Sequence, residues 1–177
     1  MNYKILSSEK NIAVFWSKNL NLSLSEKVRD DIKKGYEGTF DTPVSEIDKY
    51  EFISGYNPII NSFLKTWNEV FPNKKITNPT IELSWNRNYK KGDECLIHYH
   101  SGYPDKLAFS VVHMVKQEPD HPNLWFKLDD MKINDIVFEQ DDVVIFPCLL
   151  YHGVDVNTID SNRITFVFDF TVEECSS

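Results

Sequence analysis

Cysteine is scarce in this chain. The three cysteines, Cys95, Cys148 and Cys175, form no CxxC pair. They are too few and too scattered for a disulfide framework, and they predict reduced thiols in a cytosolic protein. Basic residues are also in short supply: 19 Lys+Arg against 27 Asp+Glu give a formal charge of −8. A chain this acidic is a poor default partner for DNA, RNA or an anionic membrane, although a small basic pocket is still open to it. No apolar run reaches the length that spans a bilayer, and residues 1–17 lack the apolar core of a signal peptide. A soluble, cytoplasmic protein is the expectation. Internal repeats, low-complexity segments and long linkers are absent as well, so the 177 residues read as a single domain, 41% hydrophobic and 14% aromatic. That is ample to build one core.

The period of the apolar pattern changes along the chain. Residues 1–80 read as a helical support region. Ser23 or Ser25 caps a first helix carrying Val28 and Ile32, and Gly35 and Gly38 end it. Residues 41–55 are irregular or a short strand. Asn57-Pro58 opens a second helix, with Ile59, Ile60, Phe63, Leu64, Trp67, Val70 and Phe71 at helical spacing and Pro72 as its stop. From Thr80 the period is two. Strands are predicted over 81–89, 94–100, 106–115, 123–128, 136–139, 143–146, 151–156 and 163–170, with Gly- and Asp-rich turns between them. Eight short strands within 81–171 predict a mainly β fold, a closed or sandwiched jelly roll with the N-terminal helices packed outside.

Three places carry candidate chemistry. In His98-Tyr99-His100 the two imidazoles leave a strand on the same side, a spacing at which both can bind one metal ion. The same pattern also describes two histidines on a solvated strand face. His152 follows the buried run Val143–Pro147 and a turn; it is a third ligand or a histidine satisfying a backbone carbonyl. In the last strand, Ile164, Phe166, Phe168 and Phe170 form one apolar face, and Arg163, Thr165, Val167 and Asp169 form the other. If the aromatic face packs on the helices, Arg163 and Thr165 face the cavity, where a guanidinium needs an anion. The alternative is an exposed Arg163 paired with Asp160 or Asp155. His113 groups with Phe109 and Val111 and is either cavity-lining or a core histidine. His121 reads as a turn residue. Trp85, Trp125 and Tyr103 are packing residues or the border of an entrance, and Cys95 and Cys148 are buried small hydrophobes.

Taken in order, His-x-His, a histidine after Phe146-Pro147, and Arg-x-Thr eleven residues later resemble the iron(II)/2-oxoglutarate-dependent oxygenases over residues 85–170. The stretch from Asn86 to Gly92, followed by His98 to Gly102, is similar to the prolyl-hydroxylase type of approach to the metal-binding strand. Residues 107–112 and 123–126 are similar to the third and fourth core strands of that group. The resemblance implies a double-stranded β-helix, with iron(II), 2-oxoglutarate as cosubstrate and O₂. It implies metal ligands at His98, His100 and His152, a cosubstrate site at Arg163 and Thr165, and a supporting Tyr89. The departure is His100, where most members carry Asp or Glu and some read His-x-His. Asp105 is the alternative source of a carboxylate. Three histidines give iron less negative charge than a carboxylate triad, which weakens iron binding or favours another divalent metal. The implied activity is hydroxylation of an amino-acid or peptidyl side chain or another small substrate. Two other classes stay open: a cupin-like metal enzyme without a keto acid, and an inactive β-roll that binds a ligand or protein. Substrate-selecting loops are expected over 40–57, 101–106 and 116–123, and the oligomeric state is not legible.

Overall fold

The computed structural model describes residues 1–18 and 54–175. The helix expected from Ser23 to Gly38, and residues 40–53 of the first expected loop, lie outside the described residues. The chain opens with a hairpin, β1 (Asn2–Ser7) and β2 (Ile12–Ser17), whose turn holds Asn11 at a φ of 51°. The helix α1 (Asn57–Val70) follows. Then come β3 (Ile76–Tyr89), β4 (Cys95–His98), β5 (Leu107–Lys116), β6 (Leu124–Leu128) and β7 (Met131–Ile133). The last three strands are β8 (Val143–Pro147), β9 (Tyr151–Val154) and β10 (Arg163–Glu174). They form two antiparallel sheets: six strands in the order β1-β2-β8-β5-β10-β3, and four in the order β4-β9-β6-β7. Two facing sheets with helix outside are the expected jelly roll. Among the described residues, no helix is long and apolar enough to cross a membrane.

Helix α1 begins where Pro58 tolerates a missing donor in the first turn. It buries Ile59, Ile60, Phe63 and Trp67 on one stripe. That stripe packs on the outer face of the larger sheet, with the Phe63 ring 4.8 Å and the Trp67 ring 4.9 Å from Phe109. Beyond the helix, Asn68 accepts from the Ile76 N–H at 2.8 Å and donates to its carbonyl at 3.0 Å, steering the chain into β3. Alternation along β10 does the sorting. Phe166, Phe168 and Phe170 join the helix-side core, whereas Val167 joins a second core between the sheets with Val112, Phe126, Phe146 and Val154. Strand β2 serves both cores, Phe15 on one side and Val14 on the other. Being buried on both faces, it reads as a short apolar run without strict alternation, so strands stand where the sequence predicts a helical support region.

Residues 136–139, expected as a strand, carry no ladder. Ile136 and Phe138 are buried, but the Asn123 side chain accepts from the Phe138 N–H at 3.2 Å, and β7 takes the place beside β6 instead. Alternation alone cannot tell a paired strand from an extended segment tethered by a side chain.

Candidate active site

Strands β4 and β9 pair so that His98 lies directly opposite His152. His100 follows the end of β4, where its backbone N–H donates to the Cys148 carbonyl at 2.8 Å. The ring centroids are 4.2 Å apart for His98 and His152, 5.0 Å for His100 and His152, and 5.4 Å for His98 and His100. Each ring brings a ligand nitrogen within 4.8 Å of the others. Their tautomers are set by acceptors. Nδ1 of His98 meets the Leu96 carbonyl at 2.9 Å, and Nδ1 of His152 meets the Leu150 carbonyl at 2.9 Å. Nδ1 of His100 meets both Asp169 oxygens, at 2.9 and 3.1 Å. With Nδ1–H donating in every ring, each Nε2 keeps its lone pair, the arrangement that suits metal ligation. His152 is buried against Phe146, and desolvation, followed by the nearby His98, pushes its pKa down to about 3. It stays neutral, as a ligand must. The hydrogen bond with Cys95 raises the pKa of His98. The backbone carbonyl bonds of His98 and His152 show that satisfying a carbonyl and offering Nε2 are compatible roles.

Across the cavity, Arg163 is only 1% exposed. The Tyr89 ring lies against it, 5.0 Å from centroid to guanidinium carbon, and Tyr89 is its register partner on β3. Its Nε donates to Gln117 Oε1 at 2.6 Å and its Nη2 to the Met114 sulfur at 3.3 Å, while Nη1 has no hydrogen-bond partner among the described residues. Asp160 pairs with Lys91 and Asp155 with Lys132, so neither is the counter-ion considered for Arg163. Burial lowers the arginine's pKa from its ordinary value. A buried guanidinium fixed at two nitrogens, with a third unpaired and no carboxylate attached among the described residues, calls for an anion. The pocket between, about 360 Å³ with its open mouth included, is lined by Tyr89, His98, His100, His152, Arg163 and Thr165 together. Trp85 closes one side, edge-on to His100 at 5.2 Å.

Other expected candidates fall elsewhere. Asp105 is exposed in a turn at a φ of 62° and does not join the histidines, so it does not complete the set. His113 does share a face with Phe109 and Val111, but that face packs on the helix, and its Nδ1 lies 2.7 Å from the Tyr56 hydroxyl. His121 accepts from the Glu118 N–H at 2.8 Å and donates to the Ser161 carbonyl at 2.9 Å, a turn residue as expected. Tyr103 donates to Asp169 at 3.0 Å. Cys95 and Cys148 are buried. Burial raises the Cys95 thiol's pKa, but the His98 hydrogen bond and the charge of Arg87 outweigh it, leaving a net lowering.

Two residues of the site were not singled out in the sequence. Arg87 lines the pocket opposite Thr165, and Asp169 accepts from His100. Both were findable. Asp169 shares the inward face of the last strand with Arg163, and Arg87 alternates with Trp85 and Tyr89.

No protein-family model matches the chain. No curated protein matches it in sequence. Solved structures do match its fold. An oxidoreductase of the 2OG-Fe(II) oxygenase family from Burkholderia pseudomallei matches with a TM-score of 0.66 at 11% identity, over 89% of this chain and 84% of that one. A prolyl hydroxylase from Trichoplax adhaerens, in complex with a hypoxia inducible factor oxygen degradation domain peptide, gives 0.62 at 17% identity, over 89% and 83%. A viral collagen prolyl hydroxylase from Paramecium Bursaria Chlorella virus-1, in complex with 2OG, gives 0.61 at 15%, over 93% and 96%. At these identities the likeness is one of fold: the chain has the double-stranded β-helix of the 2OG-Fe(II) oxygenases and prolyl hydroxylases.

Proposed function

We propose that the protein is an iron(II)- and 2-oxoglutarate-dependent oxygenase that hydroxylates an amino-acid or peptidyl side chain or another small substrate. One observation carries this reading. Arg163, buried and without a counter-ion among the described residues, shares a single pocket with three imidazoles whose free nitrogens converge.

The residues present fit both absent groups. His98, His100 and His152 would hold iron(II) as neutral nitrogen donors, leaving positions open on the pocket side. The unpartnered Nη1 of Arg163 and the nearby Thr165 hydroxyl would take the distal carboxylate of 2-oxoglutarate. When bound, the metal and keto acid supply the oxidising chemistry: O₂ is consumed, the keto acid becomes succinate and CO₂, and a substrate C–H becomes C–OH.

The chain's own residues bind and orient. Gln117 and Met114 fix the guanidinium plane before any ligand arrives, so little rotamer freedom is lost on binding. Tyr89 walls the arginine, and desolvation strengthens its attraction for a carboxylate. Trp85 and Phe146 border the imidazoles and limit water. The peptide bound to the Trichoplax enzyme makes a peptidyl substrate the leading class. The acidic net charge weighs against nucleic acid.

The all-histidine donor set favours a second reading, a cupin-like metal enzyme that uses no keto acid. The buried Arg163 weighs against it, since such an enzyme has no need of that anion site. Anaerobic titration with iron(II) and then 2-oxoglutarate separates the two. A metal-to-ligand charge-transfer band on adding the keto acid supports the oxygenase. Iron binding with no response to 2-oxoglutarate moves the assignment to the cupin-like enzyme, and no metal binding leaves an inactive β-roll.

A further inference from the structure

The ligand set proposed above has no negative charge, yet a carboxylate stands directly behind it. The Asp169 side chain is 2% exposed and accepts from His100 Nδ1 at 2.9 Å and from the Tyr103 hydroxyl at 3.0 Å. The Cys148 thiol also hydrogen-bonds to it; burial and this carboxylate together raise the thiol's pKa, so it stays a neutral donor. Burial and Asp169 likewise raise the pKa of Tyr103. Among the described residues, no lysine or arginine pairs with Asp169. A buried carboxylate held by an imidazole, a phenol and a thiol, with no lysine or arginine beside it among the described residues, is costly to leave without a cation nearby.

We infer that Asp169 is a positioning residue that supplies, through His100, the negative charge missing from the ligand set. This rests on the metal reading above. The Nδ1–H donated to Asp169 fixes the His100 tautomer and ring plane, raises the basicity of Nε2, and lets the carboxylate balance part of a dication's charge across the ring. The usual HxD arrangement places its carboxylate on the metal. In this chain the acid stands one imidazole further out, on the last strand, in the inward row that begins with Arg163. One strand therefore carries both the anion hook that lines the pocket and, behind His100, the compensating anion. His100, Cys148 and Asp169 are themselves close enough to share an ion, but the bonds His100–Asp169 and Cys148–Asp169 already use those atoms on one another.

The test measures the affinity of the metal-free protein for cobalt(II) alone, by its visible absorption and by calorimetry. Wild type binds. Asp169→Asn, folded by circular dichroism, is expected to bind about 10–100-fold more weakly. In a His100→Ala background the same change is expected to cost little, because Asp169 acts through that ring; a purely structural role would cost the same in both backgrounds. A second pair covers the case where Asp169→Asn alone does not fold. His100→Asp sets two carboxylates against each other and is expected to bind poorly, and His100→Asp with Asp169→Asn moves the charge onto the metal and restores binding. Equal affinities for wild type and Asp169→Asn, or no rescue in the double variant, overturn the inference. A wild type that binds no cobalt(II) overturns the metal reading itself, and the inference with it.

Discussion

Replacing Gly153 by alanine is expected to damage the site without removing any of its polar groups. A Cβ built at Gly153 would lie 2.6 Å from Cζ2 of Trp125, 3.0 Å from its Cε2 and 2.9 Å from the Cys95 carbonyl oxygen. Ordinary carbon contacts are about 3.5–4.0 Å, so the overlap with the indole is roughly 1 Å. Trp125 is the register partner of Gly153 on β6, and Cys95 lies on β4, so β9 is crowded from both neighbouring strands. The indole has some freedom to swing; the Cys95 carbonyl is backbone and has little. Overpacking of this kind costs about 1–3 kcal/mol, a fall in Tm of roughly 2–12 °C for a domain this size. The strain falls on the residue next to His152, whose ring must stay opposite His98 to share a ligand. Gly153→Ala is therefore expected to lose metal affinity as well as stability. Thermal unfolding by circular dichroism and a metal titration read the two effects. An alanine variant with unchanged Tm and unchanged affinity would refute the packing argument.

Trp67→Ala is expected to cost about 3–5 kcal/mol in chemical denaturation, because the indole is 1% exposed between Phe15, Phe71 and Phe109 and donates to the Lys74 carbonyl at 2.8 Å; a cost below 1 kcal/mol would make the helix peripheral. The metal-free protein is expected to lose stability on acidification. His152 has a pKa of about 3 when folded and an ordinary value of 6.5 when unfolded, so below pH 6.5 the unfolded state takes the proton first. The loss runs from pH 6.5 down towards 3, by at most about 1.4 kcal/mol per pH unit; the raised pKa of His98 contributes an opposite change, but that change lies above pH 6.5 and is complete before the loss from His152 begins. Urea unfolding of wild type and His152→Phe at pH 7 and pH 5 checks the sign. A steeper fall with acid in the variant than in wild type would contradict it.

The jelly roll was legible because runs of strand-forming residues from Thr80 onward are separated by Gly- and Asp-containing turns. The last strand was the most informative segment. If its apolar face, Ile164, Phe166, Phe168 and Phe170, packs on a helix layer, Arg163 and Thr165 turn inward, and the structure has this arrangement, with Asp169 in the same row. What escaped the sequence was non-local. Strand β2 is buried on both faces and shows no alternation, so its place beside β8 depends on the two cores it joins. His113 obeyed alternation, but which side of β5 was cavity and which was helix is a property of the assembled sheets. Asp105 was considered as a carboxylate source because it is near His98 in sequence. Asp169, which is 69 residues from His100, approaches it only because β10 runs back beneath that loop. A contact of that separation leaves no local spacing to read.

In the proposed reaction Arg163 and the three histidines serve one bound molecule. The affinity of the metal-loaded protein for 2-oxoglutarate, measured anaerobically by calorimetry in wild type, Arg163→Lys and Arg163→Ala, tests it most directly. Lysine keeps a charge but loses the planar fork held by Gln117, so affinity for the keto acid is expected to fall while metal affinity stays close to wild type. Alanine removes a charge-assisted pair from a buried position and is expected to lose roughly 2 kcal/mol or more, some thirtyfold. Wild type binding 2-oxoglutarate only when the metal is present, with this order of loss, is the result expected. Equal affinities in all three proteins would contradict the claim and take the keto acid out of this pocket.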